Sequence, residues 1–380
     1  MFRWKSYVDI KKEWGVNSPA LLIDESHTFK STDTVRYKAL KTELDIFDYR
    51  FLLSATPSIN RVEGIYSQLH IVDKSIIPMS ENAFKIWLAN DIGDKYDKYK
   101  IKEYNTENVD LLKKSYKQFM LQKLKEDLPE MKSKKIEKPF YLKMSETQKT
   151  LYESVSEEIL HRLEEEHDEL TWTLVMNKLP YICHAIDNPL LLKSKTWSNV
   201  KINKILDKWK IEDDPKYQLL KSRVVDYVDD LGEKLLIWDW HPGTLDILQE
   251  KFKKYKPLLI HGGVKGTEER QELVDRFNNS DENKIFLLSA LTSSAGLNLQ
   301  YKCRRAIVYT LPFDATVVRQ LQDRTCRITS TKNTIIEYFV VDQTIDNLRY
   351  NRVVNRIKYN DNLNVSINRG TLSNLLRGVV

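Results

Sequence analysis

Three groups of side chains in this 380-residue sequence have the types and spacing to act on a phosphate chain. Asp24 and Glu25 stand side by side directly after the apolar run Ala20-Leu21-Leu22-Ile23. Charge at the end of a buried strand is costly unless something pairs with it. Such a pair suits nucleoside triphosphate hydrolysis: Asp24 can hold Mg2+ through its hydration shell, and Glu25 can take a proton from the attacking water. Thirty residues later "FLLSATPS" sets Ser54 and Thr56 at the end of a second apolar run, where short hydroxyls can reach neighbouring carboxylates. A Ser/Thr turn closed by Pro57 is the plainer alternative. Near the end, "VVRQLQDRTCRITS" carries Arg324 and Arg327, three apart and so on one face of any helix there. Two guanidiniums on one face can fork onto a triphosphate, or pair with Asp323 at the surface. Upstream of them "LLSALTSSAGLNLQ" runs an apolar strand into small residues around Gly296, where a backbone can approach a phosphate closely.

These groups need strands to carry them. "ALLID" and "RFLLSATP" read as buried strands separated by a polar helical stretch. From Pro78 to about Trp209 the pattern turns to long, charged helices such as "NVDLLKKSYKQFMLQKLKEDL" and "SETQKTLYESVSEEILHRLEEE", the latter opening on a Ser145-x-x-Gln148 capping box. One strand-like piece, "EKPFYLKM", interrupts them. From Tyr217 on, "KLLIWDW", "PLLIHGG", "KIFLLSA", "RAIVYTL" and "TIIEYFVV" read as strands with helical patterns between most of them, the mark of a doubly wound, parallel α/β domain. The expected organisation is a partial α/β lobe at 1–77, a helical insertion and linker at 78–214, a second α/β lobe at 215–345, and a basic helical tail at 346–380.

The composition excludes several classes. No run approaches the roughly 18 apolar residues that span a bilayer, and the N-terminus lacks a secretory h-region. Cys183, Cys303 and Cys326 are isolated, which argues against a zinc site or disulfide framework and fits a reducing cytoplasm. The net charge of +6 permits nucleic-acid binding without requiring it. Basic residues gather after Arg349, where "RYNRVVNRIKYN" reads as an amphipathic helix, either a brace against the fold or an extra DNA contact.

Taken in order, these segments resemble the motifs of helicase superfamily two, and specifically the Swi/Snf family of DNA-dependent translocating ATPases. "LLIDESH" resembles motif II and "LLSATP" motif III. "FMLQKLKEDLPEMKSK" resembles the link between lobes, and "YICHAIDNPLLL" the family's Asn-His-Pro-rich stretch. "IHGGVKGTEERQELVDRFN" resembles motif IV, "LLSALTSSAGLNL" motif V and "RQLQDRTCRI" motif VI. The order and spacing hold from about residue 20 to 345. Departures are Ser293-Ser294 where motif V has a glycine pair, Cys326 and Thr329-Ser330 where motif VI has His and Gly-Gln, and Gln122-Lys123 where the linker has arginines.

The resemblance implies two RecA-like lobes, the first incomplete, that bind ATP and Mg2+ between them and move on double-stranded DNA. It gives Asp24 the metal and Glu25 the water, with Arg324 and Arg327 reaching in from the second lobe. His27, Ser54 and Thr56 would couple the nucleotide to the DNA side, Gly296, Gln320 and Asp323 would border the nucleotide, and His261, Gly262, Ser289 and Ala290 would track the DNA phosphates. None of the eleven glycines is followed by lysine, so the G-x-x-x-x-G-K-[ST] loop that cradles phosphates is not in these residues. The expectation is therefore a truncated or split ATPase, inactive alone and completed by an upstream segment or a separate chain. A DNA-binding scaffold without catalysis is the alternative. The compact form suggests a phage or bacterial source.

Overall fold

The computed structural model describes residues 19–29, 31–54, 62–93, 97–121, 133–165, 179–193, 200–264, 266–290, 302–326 and 332–359, with positions 129, 299 and 330. The chain divides near Lys123 into two compact units.

In the first unit, strands β1 (Ala20–Ile23) and β2 (Tyr49–Leu52) pair in parallel, Leu22 beside Phe51 and Ile23 beside Leu52. The helix Val35–Lys41 links them, capped by the Thr34 hydroxyl, which accepts from the Tyr37 amide. One face of this sheet is packed: Leu21 and Ile23 lie against Phe29, Tyr37, Leu40, Leu44, Phe47 and Ile71. Arg50 fixes β2 from beside it, donating to the carbonyls of Leu44, Ile71 and Val72. A second small core gathers around Tyr66, Phe84, Leu88 and Leu112. It includes an antiparallel pair where helix is expected, β3 (Ala89–Ile92) and β4 (Ile101–Tyr104). "ANDI" and "IKEY" carry little of the β-branched alternation that marks strands.

The second unit holds six parallel strands in the order β5-β10-β9-β6-β8-β7. The five expected strands are present as β6 (Lys234–Asp239), β7 (Leu258–Ile260), β8 (Ile285–Ser289), β9 (Cys303–Val308) and β10 (Thr334–Val341). In β6 and β8 nearly every side chain is buried, as a parallel sheet covered on both faces requires. β5 (Lys135–Leu142), the strand that interrupts the helical stretch, pairs along its whole length with β10. It therefore belongs to this sheet rather than to an insertion.

A buried ionic cluster joins four segments of the second unit. Asp187 accepts from both terminal nitrogens of Arg349 and meets Lys216 at 3.4 Å and the His241 ring at 3.2 Å. Lys216 also pairs with Asp346 at 2.7 Å. Burial pushes the Asp187 carboxyl up, but Arg349 and Lys216 outweigh it and hold it well below the usual carboxylate range. The basic helix Ile345–Tyr359 is thus anchored to the second unit through Arg349 and the buried Val353. Among its described side chains, this supports the brace.

Candidate active site

At the C-terminal end of β1 the chain turns sharply. Glu25 has a φ of 51°, left-handed backbone that costs an ordinary residue roughly 1–2 kcal/mol. Its amide donates to Asp24 Oδ1 at 2.8 Å, which holds the Asp24 carboxylate against the turn at the strand end. The short helix Ser26–Phe29 follows and is fixed from below. The Ser26 amide donates to the Leu53 carbonyl at 2.9 Å, and its buried hydroxyl donates to Gln68 Oε1 at 3.1 Å. Gln68 in turn donates to the Gly64 carbonyl, and the Ser67 hydroxyl donates to the Phe29 carbonyl. Nothing in the sequence marks Ser67 or Gln68, an ordinary adjacent polar pair on the helix Ile65–Val72.

His27 then meets both expected groups. Its Nδ1 lies 3.2 Å from Glu25 Oε2 and 3.2 Å from Ser54 Oγ. An ionised carboxylate can only accept, so the proton belongs on Nδ1, where it serves Glu25 and Ser54 together. Glu25, His27 and Ser54, read from two separate stretches of sequence, are one connected group. Thr56 lies outside the described residues.

Asp24 is exposed. Among the described residues no cluster of three or more His, Cys, Asp or Glu could hold a metal ion. One exposed carboxylate fits Mg2+ that arrives with a nucleotide, since this ion keeps several waters and takes one or two carboxylates besides the phosphates.

In the second unit the helix Ala315–Thr325 presents two faces. Ala315, Val318, Leu321, Gln322 and Thr325 are buried, while Arg319, Gln320, Asp323 and Arg324 are partly exposed. The expected Gln320, Asp323 and Arg324 therefore share one side. The helix ends at Thr325, and Cys326 is extended with φ −117° and ψ 99°. Arg327, the second arginine expected on this helix face, follows that end and lies outside the described residues.

The expected phosphate-tracking residues separate into two kinds. His261 and Gly262 follow β7 in an open turn, where His261 Nδ1 accepts from the Gly263 amide at 2.9 Å. Ser289 and Ala290, at the end of β8, are only 1% exposed, and the Ala290 amide donates to the Asp239 carbonyl. Their side chains serve the interior. Gly296 lies outside the described residues.

Comparison with known proteins agrees with these motifs. The SNF2-related domain matches residues 5–186, and the helicase conserved C-terminal domain matches residues 217–329. The chain is 25% identical over 343 residues to chromodomain-helicase-DNA-binding protein 1-like of Danio rerio, covering 90% of this chain and 31% of that protein. It is 23% identical over 346 residues to the transcription regulatory protein SNF2 of Saccharomyces cerevisiae, covering 89% of this chain and 20% of that one. The chain thus spans about a third or less of the length of these relatives. Both are eukaryotic, which lends nothing to the expected phage or bacterial source. Among solved structures, the Sulfolobus solfataricus SWI2/SNF2 ATPase core in complex with dsDNA is 21% identical with a TM-score of 0.46, covering 95% of this chain and 72% of that one. No described helix is long and apolar enough to cross a membrane. With both domain models matched in order along its length, the chain belongs to the Swi/Snf family of helicase superfamily two.

Proposed function

We propose that this chain forms most of a DNA-dependent ATPase that translocates on double-stranded DNA, and that further polypeptide completes its nucleotide site. The observation that carries the reading is the junction at His27, which ties the water-activating candidate Glu25 to Ser54. Asp24 holds Mg2+ that comes with ATP, and Glu25 accepts the proton of the attacking water. His27, Ser54 and Thr56 relay the state of the nucleotide. Arg324 and Arg327 supply positive charge to the triphosphate, with Gln320, Asp323 and Gly296 beside it. His261 and Gly262 meet DNA phosphates, and Ser289 and Ala290, at the end of β8, border the same track.

The completing polypeptide carries the phosphate-cradling loop, for no glycine of the 380 residues precedes a lysine. The first sheet supports it. Leu22 and its neighbour in register Phe51 are 64% and 55% exposed, and Tyr49 and Leu53 flank them on the same face. Parallel sheets are ordinarily covered on both faces, so this apolar face suits a loop-bearing segment packed over it.

The test is ATP hydrolysis with duplex DNA by the natural assembly purified from its own source, with Glu25→Gln beside it. Hydrolysis is expected to vanish in the variant while DNA affinity stays the same. An assembly that binds DNA and never hydrolyses ATP would instead be a scaffold. Contacts through phosphates also predict binding that weakens steeply with salt and shows little sequence preference.

A further inference from the structure

Within the helix Ala315–Thr325, one polar residue faces inward. Gln322 is 1% exposed and uses its whole amide. Nε2 donates to Glu137 Oε1 on β5 and to the Tyr338 hydroxyl on β10, each at 2.6 Å. Oε1 accepts from Lys135 Nζ on β5, also at 2.6 Å. Lys135 closes the ring by pairing with Glu137 at 2.9 Å. The amide has one workable orientation. Turned over, it would aim N–H groups at the Lys135 ammonium and its oxygen at the Glu137 carboxylate.

An apolar side chain is the default at so buried a position, because a buried amide is costly until every bond is made. What the polar ring adds is direction. A leucine could slide or rotate against the sheet, whereas three bonds to two strands permit one rotation of the helix. The helix end is tied to the same strands. The Thr334 hydroxyl, at the start of β10, donates to the Thr325 carbonyl at 3.1 Å, and Ser133, two residues before β5, meets Cys326 Sγ at 3.9 Å. Arg324 lies between Gln322 and this tied end, and Gln320 lies one turn before it on the same side of the helix.

We infer that Gln322 is a positioning residue, which through Lys135, Glu137 and Tyr338 sets the rotation of the helix that presents Gln320 and Arg324. The inference rests on the ATPase reading, since its consequence is the placing of the Arg324 guanidinium for phosphoryl transfer. Small misplacements of such groups cost rate far more than affinity.

The experiment has two arms. In the first, amide hydrogen exchange of the 380-residue chain is compared for wild type and Gln322→Met, which keeps the volume and loses the bonds. Faster exchange is expected across 315–325, with the core strands β6 and β8 unchanged; unchanged exchange in the helix overturns the clamp. In the second, DNA-stimulated hydrolysis by the natural assembly is followed as kcat and KM for ATP. Gln322→Met should lower kcat by about tenfold or more with KM unchanged. Gln322→Glu should do the same, because it sets a carboxylate against Glu137. The exchange of partners, Gln322→Glu with Glu137→Gln, restores one carboxylate and one amide to the ring and should recover most of kcat. A Gln322→Met enzyme at wild-type kcat, or a double variant no better than Gln322→Glu, overturns the inference alone. A wild-type assembly that hydrolyses no ATP overturns the functional reading and this consequence with it, while the exchange arm still decides the clamp.

Discussion

Arg349 grips Asp187 at two points, Nη1 to Oδ2 at 2.8 Å and Nη2 to Oδ1 at 2.5 Å, across 162 residues of sequence and in full burial. The contact fastens the helix Ile345–Tyr359 to the segment before the Asn188-Pro189 turn. Breaking a buried pair from one side leaves the other charge uncompensated, at a cost of about 3–5 kcal/mol. Arg349→Met should therefore lower the stability of the second unit by that amount in urea unfolding. Replacing Asp187 by Asn in the same chain should recover part of the loss, since it removes the stranded charge. A loss below about 1 kcal/mol would mean that Lys216 and His241 hold Asp187 without the arginine.

A buried carboxyl two residues before Lys216, Asp214, gives a pH signature. Burial pushes the Asp214 carboxyl up to about 7, against the opposing pull of Lys216 and its amide and of the Tyr309 hydroxyl. A carboxyl raised in the folded state holds its proton more tightly than in the unfolded chain. Its contribution is thus full below about pH 4 and is lost as pH rises through about 7. Asp214→Asn keeps the shape and the helix-capping oxygen without the titration. The stability of the variant relative to wild type should climb between pH 4 and 7 and level off above. A difference that is flat across that range would show that Asp214 does not titrate there.

The legible and illegible parts of this molecule divide by the reach of the signal. β6 and β8 could be read directly, because burial on both faces makes "KLLIWD" and "IFLLS" continuous apolar runs. β5 could be read as a strand but not placed, since its partner Thr334–Val341 lies almost two hundred residues away. At the site, Asp24, Glu25, His27 and Ser54 were readable because each sits at the end of an apolar run. Gln68, Gln322 and Asp187 were not. Each stands among other polar residues on a helical stretch, and only its distant partners distinguish it from a solvated one. The end of the helix at Thr325 was equally illegible, for "RQLQDRTCRI" carries no glycine or proline to mark it.

The bare face of β1 and β2 makes a separable prediction. Leu22→Glu with Phe51→Glu changes exposed side chains, so the unfolding free energy of the 380-residue chain should move by less than about 1 kcal/mol. Two charges on an apolar contact surface should nevertheless block the association of a loop-bearing polypeptide. Co-purification and ATP hydrolysis should then be lost together. Should the double variant assemble as well as wild type, the completing segment packs elsewhere.

The junction at His27 predicts how the two halves of the first site depend on each other. If one Nδ1 proton serves both Glu25 Oε2 and Ser54 Oγ, removing the serine hydroxyl frees His27 to settle on Glu25 alone. Ser54→Ala deletes the partly buried hydrogen bond to His27, worth about 1 kcal/mol in stability, and leaves both carboxylates in place. The expected effect is therefore on coupling. The ratio of DNA-stimulated to basal hydrolysis should fall severalfold while the KM for ATP is unchanged. His27→Ala removes the link entirely and should lower that ratio further, and the double variant should match His27→Ala because both changes act through one bond. If the two losses multiply instead, Ser54 and His27 act on DNA stimulation separately, and the contact between them is structural.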